Sequence, residues 1–194
     1  MQLKDAIVHE SQKLFSLKGF SNTRIKDIIE AADTSKGGFY NHFASKEELF
    51  YEVLSEAQQI WRERVLTGVR EIDSPTDRII QICHNYKDRY LKDAENFPGG
   101  CIFITLSVEL DDQHPHLAEE INQGYIGFRN LLKDIIKEGK ESGEFDKHIN
   151  PEEVARCLFV GMLGTSVQYG VDKSNSTLDK TINSLIEYLR QLHG

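Results

Sequence analysis

Gly37 and Gly38 stand together in the sequence, preceded by Lys36 and followed by Tyr40 and His42. Two residues without side chains let a backbone come close to a flat surface. The lysine ammonium beside them can donate to a phosphate or to a guanine edge, and the phenol and imidazole add polar groups a turn further on. That chemistry suits contact with a nucleic acid and supplies no nucleophile with a base. A second set, Pro98-Gly99-Gly100-Cys101, puts a thiol at the start of an apolar run. A helix N-terminus favours the reactive thiolate, so Cys101 is a candidate redox or electrophile sensor; the alternative is a buried cysteine acting as a small hydrophobe. Asp111, Asp112, His114 and His116 form a third set with metal-ligand chemistry. Pro115 constrains the backbone between the histidines, and the carboxylates read as helix-starting and solubilising groups, so neither a metal nor another cofactor is expected. Cys83, Cys101 and Cys157 include no C-x-x-C pair, which argues against a disulfide framework or structural zinc.

The elements that must position these residues are helices. Asn150-Pro151-Glu152-Glu153 combines an N-cap, a proline at the first helical position and early carboxylates, ahead of Val154, Leu158, Phe159 and Met162. Ser45-Lys46-Glu47-Glu48 is a capping box ahead of Leu49, Val53, Ala57, Ile60 and Trp61. Ser74-Pro75-Thr76-Asp77 and Ser176-Thr177-Leu178-Asp179 repeat that grammar, and His114-Pro115 opens a further helix. Gly19, Gly143 and Gly170 read as stops. The pattern predicts an all-α protein of eight or nine helices without strands, the run from Cys101 to Leu106 being a buried helix. With 194 residues, 39% hydrophobic, and a mean hydropathy of -0.44, the chain has the composition of an ordinary globular protein. The charged start and the lack of a long apolar run predict a cytoplasmic protein with no membrane partner.

The first fifty residues divide into helices of about Leu3 to Lys18, Arg24 to Ala32 and Lys36 to Asn41, with a fourth starting at Lys46. Ile7, Leu14, Phe15 and Leu17 give the first an apolar face; Ile25, Ile28 and Ile29 serve the second, and Phe39 with Phe43 the third. Asp33-Thr34-Ser35 is the turn of a helix-turn-helix. The net charge of -8 argues against a nucleic-acid partner until it is divided. Residues 1–46 carry seven basic and five acidic groups, leaving 16 basic and 26 acidic in residues 47–194. A small cationic module is joined to an acidic body.

RIKDIIEAADTSKGGFYNHFASKEELF resembles the DNA-binding signature of the TetR/AcrR family of transcriptional regulators. It departs from that signature at Asp33, where the family has a glycine, and at Thr34, where it has an aliphatic residue; Asp tolerates the left-handed conformation, so a modestly strained turn is expected. The resemblance implies a helix-turn-helix DNA-binding domain at 1–46 and a helical regulatory and dimerisation domain at 47–194. It implies double-stranded DNA contacts, at a palindromic operator, from Thr23, Arg24, Ser35, Lys36, Gly37, Gly38, Tyr40, His42 and Lys46. Thr23 is read as the cap of the second helix, contacting phosphate through its hydroxyl or the free helix amides, and Lys46 as facing phosphate.

In the body, Leu158, Gly161, Met162, Thr165 and Tyr169 follow one helix face, and Leu178, Ile182, Leu185 and Leu189 another. The four-three-four spacing suits left-handed packing, so Leu158, Gly161, Met162, Thr165, Leu178, Ile182, Leu185 and Leu189 are the expected homodimer interface, with an intramolecular core as the alternative. Trp61, Tyr86, Cys101, Phe103, Tyr125 and Phe128 are candidates for binding or sensing a small-molecule or electrophile effector, although such aromatics commonly fill cores. The segment GGCIFITLSVEL resembles a TetR subgroup that includes electrophile- and redox-responsive members. A helical di-iron enzyme would need Glu-x-x-His motifs, and none of the seven histidines has Glu three positions before it. The expected function is a dimeric, effector-released repressor rather than an enzyme, the alternative being a helical enzyme or interaction module without specific DNA binding.

Overall fold

In the computed structural model, which describes residues 2–110 and 113–194, the first helix, α1 (Leu3–Lys18), ends at Gly19 with φ 80°. The chain continues through α2 (Ile25–Ala31), α3 (Lys36–Tyr40), α4 (Lys46–Val65), α5 (Pro75–Asn85), α6 (Ile102–Leu110), α7 (Pro115–Ser142), α8 (Pro151–Asp172) and α9 (Asn175–Arg190). A π-helical turn, Tyr86–Tyr90, extends α5. No strand occurs among the described residues; Phe145 and His193 form one isolated antiparallel bridge.

Local chemistry sets most boundaries. Ser74 and Asn150 accept the amides of Asp77 and Glu152 at 3.2 and 3.1 Å, each ahead of a proline in the first turn. Ser45 Oγ accepts the Glu48 amide at 3.0 Å while the Glu48 carboxylate accepts the Ala44 amide at 2.6 Å. Two boundaries differ from expectation. Gly170 lies inside α8, which runs on to a left-handed Lys173 at φ 50°. The cap of α9 is Ser174, accepting the Thr177 amide at 3.2 Å, ahead of the expected Ser176.

The chain forms two compact units. The first comprises Met1–Trp61 and Asp93–Asn122. Its core joins Ile7, Phe15, Ile28, Phe39, Phe43, Leu49 and Phe50 to Ile102, Leu106 and Leu110 of α6, all at most 2% exposed. Burying each such side chain contributes about 1.5–3 kcal/mol relative to exposure. Leu17, expected in that core, is exposed. α1 instead turns Ser11, Gln12 and Ser16 inward, and α6 packs along it. Gly99 lies so close to this helix that a Cβ would overlap the Ser16 carbonyl.

The second unit comprises Arg62–Lys92 and Gln123–Gly194. α9 packs on α8 and on α5 around Ile79, Ile82, Leu158, Met162, Leu178, Ile182, Ile186 and Leu189. Asn85, buried, donates to the Val65 and Thr67 carbonyls at 3.0 and 2.8 Å, satisfying the polar group that ends α5.

Candidate nucleic-acid interface

Ser35 is the N-cap of α3, its hydroxyl accepting the Gly38 amide at 3.0 Å. The preceding turn requires a left-handed residue, and Asp33 supplies it at φ 47°, as the departure from glycine predicted. α3 buries Phe39 completely and points Lys36, Gly37 and Tyr40 outward. Lys36 Nζ lies 5.9 Å from the Tyr40 ring centroid, so the two exposed groups one turn apart form a single surface. A Cβ on Gly37 would meet only Ser35 Oγ, at 3.7 Å, whereas one on Gly38 would overlap Thr34 Oγ1. A side chain at position 38 therefore requires Thr34 to move aside, whereas position 37 has open space.

Arg24, exposed, occupies the N-cap position of α2, and its amide donates to Asp27 at 3.1 Å. Thr23 is thus not the cap. It is fully buried, with its hydroxyl donating to the Gly19 carbonyl at 2.6 Å and its amide to the Phe20 carbonyl at 3.2 Å. Neither donor is available to a phosphate. His42 and Asn41 are exposed at the end of α3.

Lys46 differs from expectation in the same way. Its ammonium donates to the carbonyls of Phe20 and Thr23 at 2.7 and 2.9 Å and lies 4.2 Å from the Phe20 ring centroid. Burial lowers its pKa, and the Glu109 charge works against that shift. The sequence missed Glu109, whose carboxylate accepts the Phe20 and Ser21 amides at 2.6 and 2.7 Å. The only signal for it was a carboxylate interrupting the apolar α6. An open cleft of about 460 Å³ adjoins this junction, lined by Phe20, Ser45, Lys46, Glu47 and His114 among others. His114 packs edge-on to Phe20, with centroids 5.5 Å apart, and His116 Nε2 lies 3.6 Å from Glu47. Of the stretch with metal-ligand chemistry, Asp111 and Asp112 lie outside the described residues.

The sequence and the fold both have known relatives. Residues 7–53 match the family described as bacterial regulatory proteins, tetR family, and residues 75–185 match the tetracyclin repressor-like C-terminal domain. The chain belongs to the TetR family. It is a helix-turn-helix DNA-binding transcriptional regulator. The QacR transcriptional regulator of Staphylococcus aureus is 38% identical over 145 residues, 75% of this chain and 74% of that one. The DhaR transcriptional repressor of Mycobacterium sp. is 26% identical over 188 residues, 96% and 92% of the two chains. A TetR regulator from Chloroflexus aurantiacus superposes with a TM-score of 0.89 at 26% identity, covering 97% of this chain and 94% of its own.

The remaining candidate residues of this TetR regulator divide between the units. Trp61, Cys101 and Phe103 belong to the first, Tyr86, Tyr125 and Phe128 to the second. Tyr125 and Phe128 both pack edge-on to Phe159, at centroid distances of 5.3 and 6.1 Å. Tyr86 is buried, stacks on Tyr90 at 5.6 Å, and shares a hydrogen bond with Ser166 Oγ. Cys101 is buried at the entry to α6, its carbonyl accepting the Thr105 amide at 3.2 Å. Burial pushes the Cys83 thiol up to about 12, which keeps it protonated and unreactive.

The expected dimer face needs correction. Leu158, Met162, Thr165, Leu178, Ile182 and Leu189 are at most 2% exposed within the single chain. A Cβ on Gly161 would overlap the Leu185 side chain, so the close approach at Gly161 is between α8 and α9 of one chain. The seam is intramolecular. α8 carries a second apolar stripe on its other side: Val160, Val167 and Val171 are 58, 50 and 84% exposed, with Gly164 open between them.

Proposed function

We propose that this TetR regulator is a homodimeric repressor that reads a palindromic operator through α2 and α3 and leaves it when an effector binds. Residues 1–46 supply the reading segment and residues 47–194 the regulatory and dimerisation part; no catalytic role is assigned. One observation carries the reading: α3 is anchored by buried Phe39 and leaves Lys36, Gly37 and Tyr40 exposed on one surface. Base edges are read by such a surface, with Lys36 as donor and Gly37 permitting close approach. Arg24 and His42 flank it as phosphate or base contacts, and Ser35 and Gly38 act by shaping α3.

Dimerisation through the stripe of Val160, Gly164, Val167 and Val171 would present two reading heads to half-sites one helical turn apart. Tyr125 and Phe128, gathered on Phe159, and the Tyr86–Tyr90 stack of the same unit support an apolar or aromatic effector, whereas Cys101 supports an electrophile or oxidant. Either acts by favouring one conformation of the body over another. The protein works where the chromosome is, in the cytoplasm.

The test is fluorescence anisotropy with labelled duplex from immediately upstream of the gene, at several salt concentrations, against an unrelated duplex. Selective binding that weakens steeply with salt is the expected result. Failure to bind any duplex, even at low salt, refutes the assignment of the α3 surface. Addition of effectors and thiol oxidants to wild-type protein and to Cys101→Ser separates the two effector chemistries.

A further inference from the structure

Glu109 and Lys46 both hold one short loop, the first by its amides and the second by its carbonyls. The loop, residues 19–23, links α1 to the Arg24 cap of α2 and is held by a dense set of hydrogen bonds. Gly19 N–H donates to Phe15 at 3.0 Å, and the Gly19 carbonyl accepts Thr23 Oγ1. The Phe20 and Ser21 amides donate to the two oxygens of Glu109. The Phe20 and Thr23 carbonyls accept the Lys46 ammonium. Gly19 makes the carboxylate's approach possible: at its φ of 80° any Cβ would overlap Glu109. Phe20 itself packs edge-on to Phe15 and Phe50, with centroids 5.6 and 5.5 Å apart, so its ring ties the loop to the core while the carboxylate orients the loop backbone. Removing Glu109 therefore takes two hydrogen bonds from the loop and leaves its apolar anchor in place.

We propose that Glu109 is a positioning residue for DNA reading: by holding the Phe20 and Ser21 amides it fixes the α1–α2 loop, and with it the angle at which α2 and α3 are presented. The structure within one compact unit thereby makes α6 part of the reading head, although α6 lies about ninety residues downstream in sequence. Lys46 completes the grip from α4, so the loop is set by two helices at once. The inference rests on the α3 surface being the reading surface, and its test separates the two.

The electrostatic expectation has the opposite sign, which makes the experiment decisive. Removing a carboxylate from the unit that bears the reading surface strengthens attraction to any duplex. Loss of positioning weakens binding to the selected sequence alone. Wild-type protein is used to select a duplex from a randomised pool, and Kd is measured for it and for an unrelated duplex. Glu109→Ala and Glu109→Gln are each expected to bind the selected duplex at least about tenfold more weakly, with unrelated duplex bound equally or more tightly and helicity by circular dichroism at the wild-type level. Selected-duplex affinity at or above wild type overturns the proposal, as does an equal loss on both duplexes. Glu109→Gln keeps the side-chain volume and decides the matter if Glu109→Ala does not fold. In wild-type protein the Phe20 and Ser21 amides should exchange with deuterium more slowly than that of Asn22; equally fast exchange also overturns it. Lys36→Ala, measured alongside, reports on the surface itself: selectivity retained in Lys36→Ala refutes that surface, and selectivity retained in the Glu109 variants refutes the positioning role.

Discussion

The ammonium of Lys46 stands 4.2 Å from the Phe20 ring centroid and donates to the Phe20 carbonyl at 2.7 Å, so one side chain is held by both the ring and the backbone of a single residue. A lysine bound in this way is spent on the protein. Lys46→Ala should weaken DNA binding by disordering the loop, while leaving the salt dependence unchanged. A lysine that neutralises a phosphate would reduce the slope of log K against log salt by about 0.9. Titrations at four salt concentrations separate the two: a slope reduced by nearly one unit would place the ammonium on DNA. Lys46→Ala should also cost about 1–3 kcal/mol of stability, the worth of hydrogen bonds to a charged donor, with solvent screening pulling the figure towards the lower end.

Gly37 and Gly38 should respond oppositely to alanine. Gly37→Ala meets nothing in the chain closer than Ser35 Oγ at 3.7 Å, so it should leave the fold as stable or up to about 1 kcal/mol more stable, through its higher helix propensity. If the backbone must approach DNA closely there, affinity falls at least about tenfold, or 1.4 kcal/mol. Gly38→Ala must displace Thr34 Oγ1 and should lower the melting temperature as well. Calorimetry and anisotropy on both variants check the pair. A Gly37→Ala protein with wild-type affinity would remove Gly37 from the interface.

What the sequence revealed and what it concealed differ in range. The start of α3 at Lys36, the Asp33 turn and the Ser45-Glu48 box were legible because each is set by residues within four positions. The Glu109 grip was not, because it joins residues 88 and 89 positions apart and leaves no periodic trace. Lys46 and Thr23 were misread for a related reason: residue type announced a donor, but only the packed loop shows where the donor is spent. On α8 the apolar spacing marked a seam correctly and its partner wrongly, since α9 of the same chain fills the face that Gly161 opens. Periodicity reports that a face is buried and is silent about what buries it.

The exposed stripe on α8 should carry self-association. Val167→Glu adds a charge to a position that is half exposed in the single chain, so the isolated fold should tolerate it. Buried in an interface, an unpaired carboxylate costs several kcal/mol, enough to raise the dimer dissociation constant at least about 100-fold. Sedimentation equilibrium should show a monomer, and affinity for a two-half-site operator should fall with it. Leu158→Glu, by contrast, should unfold the second unit, because Leu158 is 1% exposed within one chain. A Val167→Glu protein that remains fully dimeric would move the interface elsewhere.

Acid should weaken the second unit through Glu144. One carboxylate oxygen accepts Thr76 Oγ1 at 2.7 Å, the Thr76 amide at 3.1 Å and Ser74 Oγ at 3.0 Å. With the Thr76 hydroxyl proton committed to Glu144, the contact of 3.0 Å between Thr76 Oγ1 and His193 Nε2 makes the imidazole the donor. Burial works to raise the Glu144 pKa, but the bonds from Thr76 and Ser74, helped by the nearby imidazole, hold it below its ordinary 4.5. A carboxylate whose pKa is lower folded than unfolded stabilises above the unfolded value, and that contribution disappears as pH falls through the folded one. Wild type should therefore melt about 2–4 °C above Glu144→Gln at pH 6 to 7, corresponding to about 1 kcal/mol, and the two melting curves should converge below pH 4.5. A difference that persists undiminished at pH 3 would mean that the glutamine fails through its shape, and that the charge of Glu144 contributes nothing.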